Sequence, residues 1–333
     1  MTSRERMMNR IQGKPVDRIP NMNIVMQLAA DENGYHYGQV VRTAPLLVDG
    51  MLKCREKYGL DCLWTISDPV RESQDVGADV VVPEKGVPHL RVPFIREPED
   101  FKKLKLVNPC DGRAMSDRIE AVRLLKEAAG NEAPVIGWVE GAFASACNLT
   151  GVEPFLFMIM EEPEAAEELL DFCFEQEKLF ALEQIKAGAD IIGVGDAATS
   201  LIGKRLYREF AFEREKKMFS AIHEAGGLVK LHICGNINTI MEDASSTGCD
   251  ILDIDHMVDF RRAGELMLGK GCVCGNFDPV EVVFRGTPEK VKQAVRDCVD
   301  MAPENCIIAA GCEIPMGTDP ANFRAVQEAL CEL

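Results

Sequence analysis

Short apolar runs alternate with amphipathic stretches along nearly the whole chain, and this rhythm restricts the fold more than any other feature. Eight runs have the length and flanking residues of buried parallel strands. They are IPNMNIVM (19–26), LDCLWTIS (60–67), PVIGWVE (134–140), ADIIGVGD (189–196), LVKLHIC (228–234), DILDID (250–255), GCVCGNF (271–277) and CIIAAGC (306–312). Between them, helical stretches over 43–59, 116–130, 164–188, 207–227 and 238–248 all end on glycine, a common helix stop. Thr287-Pro288-Glu289 predicts a helix start with a threonine cap and proline in the first turn, and Asp319-Pro320 predicts another. Strand–helix alternation of this kind implies a parallel sheet covered by helices. Eight such units in 333 residues favour a closed (β/α)8 TIM barrel over an open doubly wound sheet. No G-x-G-x-x-G follows the first strand, which weakens the dinucleotide-binding alternative. DVVVPEKGVPHLRVPFI (79–95) alternates around a Lys-Gly turn and predicts a β-hairpin inserted after the second strand. No repeat, low-complexity tract or linker interrupts the pattern, so residues 1–333 are expected to form one barrel domain.

Composition narrows the function classes. With 47% hydrophobic residues the chain can bury a large core, and a net charge of −17 argues against nucleic-acid binding, which calls for a basic stripe. The N-terminus MTSRERMMNRIQGKPVDRIP has no apolar signal region, and no run approaches the ~20 apolar residues of a membrane helix. Thirteen cysteines in such a context read as reduced thiols and metal chemistry rather than a disulfide framework. A cytoplasmic location, away from membranes, is expected.

In a (β/α)8 barrel the chemistry lies at the C-terminal ends of the strands. The polar residues there are Asp68 after the second strand, Glu140 after the third and Asp196 after the fourth. The fifth ends in His232-Ile-Cys234, the sixth in Asp253, Asp255 and His256, the seventh in Asn276 and Asp278, and the eighth in Cys312-Glu313. Residues i and i+2 of a strand share a face, so His232 and Cys234 can converge on one ion. One imidazole and two thiolates are zinc ligands, and three protein ligands leave the fourth position open, as in reactive rather than structural sites. His232, Cys234 and Cys312 are therefore the predicted Zn2+ ligands. Glu140 can act as acceptor for His232, fourth ligand, substrate contact or loop cap. Asp255 is the expected tuner of the metal or its imidazole. Asp68, Asp196, Asn276 and Asp278 either contact substrate or start helices as caps. Cys272 and Cys274 form a C-x-C, but inside a strand, where packing is the expected role.

Several motifs are similar to those of the uroporphyrinogen decarboxylase superfamily, specifically its zinc- and corrinoid-dependent methyltransferase branch. They are Ser3-Arg4-Glu5-Arg6 with Gly13-Lys14-Pro15-Val16-Asp17-Arg18-Ile19-Pro20, the Ser67-Asp68-Pro69 turn, Gly141-Ala142-Phe143, Leu149-Thr150-Gly151 and Gly311-Cys312-Glu313-Ile314-Pro315. The resemblance spans essentially the whole chain and implies a (β/α)8 barrel. Methylcobamide:coenzyme M methyltransferases of that family hold zinc with His-x-Cys and a distant Cys, which fall on His232, Cys234 and Cys312. The resemblance then implies methyl transfer between a corrinoid and a small partner such as a thiol, tetrahydrofolate or a methoxylated compound, in either direction. The corrinoid (cobalamin) is expected on a separate corrinoid protein, because the chain has no D-x-H-x-x-G motif of its own.

The alternative is a metal-free uroporphyrinogen decarboxylase. That enzyme carries an R-Q-A-G-R-Y segment after its first strand, whereas this chain reads Met26-Gln27-Leu28-Ala29-Ala30-Asp31-Glu32-Asn33, without arginine. A non-enzymatic zinc- or corrinoid-binding accessory protein is the third reading.

Overall fold

The computed structural model describes residues 1–333, the side chain of Pro98 excepted. Its strands are β1 (Leu63–Trp64), β2 (Val80–Val81), β3 (His89–Leu90), β4 (Val135–Glu140), β5 (Ile191–Gly195), β6 (Leu228–Ile233), β7 (Ile251–Ile254), β8 (Cys272–Phe277) and β9 (Cys306–Ala310). Seven of them form one parallel sheet in the order β1-β4-β5-β6-β7-β8-β9, curled in a TIM-barrel-like way. β4, β5, β7, β8 and β9 are buried at every position. Helices on the outside account for this, because a parallel sheet wrapped by crossover helices leaves neither face to water.

The expected first strand is the main departure. Over 19–26 only an isolated bridge forms, Asn21 to Ile308. Met22 N donates to Ile308 O, and Ile308 N to Pro20 O, on one side; Asp61 N donates to Asn21 O on the other. The segment thus lies between the two edge strands without becoming a regular one. Its side chains explain why. Proline at 20 offers no N–H, and the Asn23 carboxamide takes the Ala310 N–H (2.7 Å) that a ladder carbonyl would otherwise accept. The predicted hairpin over 79–95 is likewise reduced. Only β2 and β3 pair, antiparallel, with Val80 opposite Leu90 and Val81 opposite His89, as a small sheet of their own.

The helices follow their sequence punctuation. Ala44–Tyr58 and Pro163–Ala187 end at Gly59 and Gly188 with φ of 64° and 114°, where a side chain would be strained. Thr287 caps Pro288–Met301 by accepting from Lys290 N, and Asp319 caps Pro320–Glu332 by accepting from Ala321 N. The expected helix over 238–248 shortens to Met241–Ala244. No single helix is long and apolar enough to cross a membrane; one bent pair, Ala142–Thr150 with Val152–Glu161, passes on length and composition alone.

The N-terminal motif closes the end of the sheet opposite the strand carboxyl ends. Arg6 donates to Asp17 (2.6 Å) and to the fully buried Asp61 (2.7 Å), which also accepts from Arg18 (2.7 Å) and from Asn21 N (2.8 Å). A buried carboxylate requires such partners, and here they tie the first residues to the start of β1.

Candidate metal centre at the strand ends

β6 and β9 bring the three predicted ligands together. His232 Nε2 lies 2.9 Å from Cys234 Sγ, and Cys234 Sγ lies 3.6 Å from Cys312 Sγ. One ligand atom from each of the three falls within 4.8 Å of the others. Among the described residues no other group of three His, Cys, Asp or Glu side chains meets that criterion. His232 on β6 and Cys234 just past its end reach the same side, and Cys312 follows β9 at the same rim.

Electrostatics at the triad favour charge separation. Burial acts to lower the His232 imidazole, but Asp253 and Cys312 outweigh it and raise it to about 9. A thiol hydrogen bond from Cys234, opposed by burial and helped by His232, pulls Cys312 well down, while the same contact and burial push Cys234 up. Two sulfurs, one imidazole nitrogen and mutual spacing of a few ångströms match the donor set of a tetrahedral zinc site. His232 Nδ1 lies 2.6 Å from Asp253 Oδ2 and Nε2 faces the sulfurs. The residues fit the ion.

Asp253, rather than Asp255, therefore holds the imidazole. The register puts His232 opposite Asp253 across β6 and β7. Asp255 lies beyond the strand, where its Oδ2 accepts from Gly235 N (2.8 Å) and its Oδ1 lies 2.6 Å from His256 Nδ1. Both aspartates have the same parity, so only the register, which sequence does not reveal, separates them.

A cavity of about 220 Å³ opens beside the triad, lined by His232, Cys234, Cys312 and Glu313 together with Asp68, Glu140, Trp138 and the apolar Ile24, Met26 and Ile66. Trp138 forms one wall because Gly193 and Gly195 leave room for it; a Cβ at either would come within 2.3 or 2.7 Å of the ring. Glu140 accepts from Trp138 Nε1 (3.0 Å), and burial followed by Glu72 repulsion pushes its carboxyl well up. Glu313, which accepts from Gln27 N (2.7 Å), is pushed by burial to about 7. Asp68 is held low: burial opposes, but Arg71 and Arg42 dominate, with Arg42 Nη1 at 3.1 Å.

The other expected contacts turn away from the cavity. Asp196 accepts from Ala144 N (2.7 Å) at the start of the helix Ala142–Thr150. Asn276 donates to the backbone oxygens of Asp255 (3.0 Å) and Val258 (2.9 Å). Asp278 caps the turn after β8 through Val280 N (2.7 Å) and Glu281 N (2.9 Å). Cys272 and Cys274 are fully buried in β8. Trp138 and Lys230 at the site escape a motif-based reading, the latter signalled only by a lysine in an apolar strand, and Asp253 is marked by its strand end but not by its role.

Fold and rim together define a class: an α/β, TIM-barrel-like protein with a thiol–imidazole cluster at the carboxyl ends of its strands. The chain belongs to the uroporphyrinogen decarboxylase (URO-D) family, which matches residues 2–333. Methylcobamide:CoM methyltransferase MtbA of Methanosarcina acetivorans is 27% identical over 333 residues, covering 98% of this chain and 97% of the relative. The protein of the same name from Methanosarcina mazei is 29% identical over 334 residues, with 98% and 97% covered. A uroporphyrinogen decarboxylase from Chlorobium luteolum is 27% identical over a shorter 304 residues, 87% of this chain and 85% of its own. Among solved structures, a methyltransferase from Methanosarcina mazei matches with a TM-score of 0.91 at 21% identity, over 100% of this chain and 99% of that one, and so shares the fold.

Proposed function

We propose that residues 1–333 form one closed (β/α)8 domain that transfers a methyl group between a corrinoid and a thiol, with zinc held by His232, Cys234 and Cys312. The observation that carries this reading is the gathering of two sulfurs and one imidazole nitrogen within 4.8 Å of one another. Relatives named for methylcobamide and CoM, covered almost end to end, supply the reaction class. A bound zinc ion would supply the positive charge that keeps an acceptor sulfur ionised at neutral pH. Thiolate and neutral imidazole are the forms that ligate a metal, so affinity should rise with pH.

The chain's own residues then position the small reactant. Ile24, Met26, Ile66 and Trp138 exclude water from one side of the cavity. Glu140, whose carboxyl is pushed up by burial, and Asp68, fixed by Arg42 and Arg71, can hydrogen-bond a polar group of the acceptor. A cavity of about 220 Å³ takes a small thiol but not a corrin ring. The macrocycle must approach from the rim, where Leu201, Met257, Phe284 and Met316 are exposed, and a separate corrinoid protein in the cytoplasm is the proposed carrier. The arginines nearest the cavity are spent on Asp68, so the many carboxylates of a uroporphyrinogen would find three acids there and no free cation.

The test combines metal analysis with turnover. The purified protein should hold about one zinc per chain. It should demethylate methylcobalamin in the presence of a thiol, followed by the spectral change to Co(I). Cys312→Ala should lose the metal and more than ~100-fold of the transfer rate, since even outer-shell partners of zinc ligands are worth 10–100-fold, while circular dichroism stays unchanged. Turnover of uroporphyrinogen by metal-free protein would replace this reading with the decarboxylase.

A further inference from the structure

Lys230 is the least expected side chain in the barrel interior. It is 0% exposed, on β6, two residues before His232 and on the same face. A lysine ammonium withdrawn from water costs several kcal/mol unless it is paired. Here its Nζ donates to Asp253 Oδ2 and sits 4.8 Å from the Trp64 ring centroid and 5.6 Å from that of Trp138. The two indoles stand edge to face, centroids 6.3 Å apart, and both favour a cation. Asp253 Oδ2 is the oxygen that also lies 2.6 Å from His232 Nδ1, an ion-pair approach outside the line of a hydrogen bond, whereas Asp253 Oδ1 has no partner. Both contacts therefore fall on one atom, in the order lysine, carboxylate, imidazole. Trp138 completes the arrangement, because its ring lies 6.1 Å from that of His232 and its Nε1 donates to Glu140 on the cavity wall.

We infer that Lys230 is a positioning residue for the metal centre: packed against Trp64 and Trp138, it holds Asp253 Oδ2 beside His232 Nδ1 and so commits His232 Nε2 to the two sulfurs. This rests on the zinc reading above. A lysine serving only to neutralise a buried acid could bind either carboxylate oxygen, and Oδ1 would then remain for it. Its placement on the oxygen that orients the ligand is what a merely compensating charge does not require. The two indoles back the ammonium at an acute angle and leave its remaining side to Asp253 Oδ2. A change at Lys230 should therefore be read at the metal, one residue removed.

The experiment is a double-mutant cycle on the full chain with zinc affinity, measured by chelator competition, as the readout. Lys230→Met and Asp253→Asn should each weaken zinc by ~10–100-fold, the usual effect of losing an outer partner of a histidine ligand. The double variant K230M/D253N should bind zinc within ~2-fold of D253N, because a residue acting through another adds nothing once that other is gone. In Co2+-substituted protein, K230M should shift the ligand-field bands, which a loss of global stability alone does not move. Should K230M fail to fold because Asp253 is left unpaired, the comparison of D253N with K230M/D253N still decides, since both lack that buried charge. Wild-type zinc affinity in K230M, or a further ~10-fold loss on adding K230M to D253N, overturns the inference. Absence of zinc from the wild-type chain would instead sink the metal reading and this inference with it, whereas normal wild-type binding with unchanged variants sinks this inference alone.

Discussion

β6 and β8 are both six-residue strands, each carrying two metal-ligand-type side chains two residues apart, within β8 and at the end of β6, yet the two pairs are put to opposite uses. On β6 the pair is His232 and Cys234, at the mouth, and both reach the cavity. On β8 the pair is Cys272 and Cys274, fully buried, and neither does. Desolvation pushes the Cys272 thiol up to about 12 and Cys274 higher still; Cys234 is pushed up as well, but first by its contact with Cys312, which beside Cys234 and His232 is itself pulled down. Depth along the strand and the company of polar partners, not the C-x-C or H-x-C spacing, decide between an inert thiol and a ligand.

The sharpest way to break this comparison is to truncate one cysteine from each strand. Cys234→Ala should abolish stoichiometric zinc and lower methyl transfer by more than ~100-fold, with the fold intact. Cys274→Ala should leave zinc content and turnover near wild type and instead lower unfolding free energy by about 1 kcal/mol, the usual effect of a methyl-sized void. Metal analysis and denaturant melts of the two proteins read both outcomes. Zinc loss from the β8 variant would show that the two strands do not differ in kind.

Much of this contrast is visible in the sequence because burial in a parallel sheet leaves long apolar runs whose ends mark the mouth. The runs at 228–234 and 306–312 place His232, Cys234 and Cys312 at one rim before any coordinates are known. What stays hidden is inter-strand register. Asp253 on β7 and Asp255 just past its end have the same parity, and only the pairing of His232 with Asp253 selects the first. The expected first strand fails for a related reason: Asn21 and Asn23 hydrogen-bond through side chains where a ladder would use backbone. Polar residues at strand ends are ambiguous too, since the same carboxylate can face a cavity or cap a helix, and Asp68 and Asp196 took the two different courses.

A smaller effect separates those two acids. Asp196 is pushed by burial to about 7 from 3.8, although the amides of Ala144 and Phe143 oppose the shift. An acid whose pKa is higher folded than unfolded binds its extra proton in the native state. Stability is then greatest below pH 3.8 for this group and is lost as pH rises to about 7. Asp196→Asn, which can still accept from Ala144 N, should flatten that decline by up to ~1.4 kcal/mol per pH unit between those limits, while leaving zinc bound. Urea melts at a series of pH values measure the slope; an unchanged slope would show that Asp196 is not carrying the proton.

The least of the expected effects returns to the end of β8. Asp278 Oδ1 accepts from both Val280 N and Glu281 N, the geometry of a cap on the turn Pro279–Phe284, and its other oxygen lies 3.5 Å from His256 Nε2. Removing a cap leaves two amides to water, so Asp278→Ala should cost about 1 kcal/mol of stability. Because Phe284 on that turn is among the exposed apolar side chains at the rim, the same variant also probes corrinoid approach. A cap alone predicts unchanged KM for methylcobalamin at temperatures well below Tm. A KM raised severalfold there, with kcat and zinc content intact, would mean that the end of β8 meets the corrinoid after all and that the two strands differ in chemistry rather than in function.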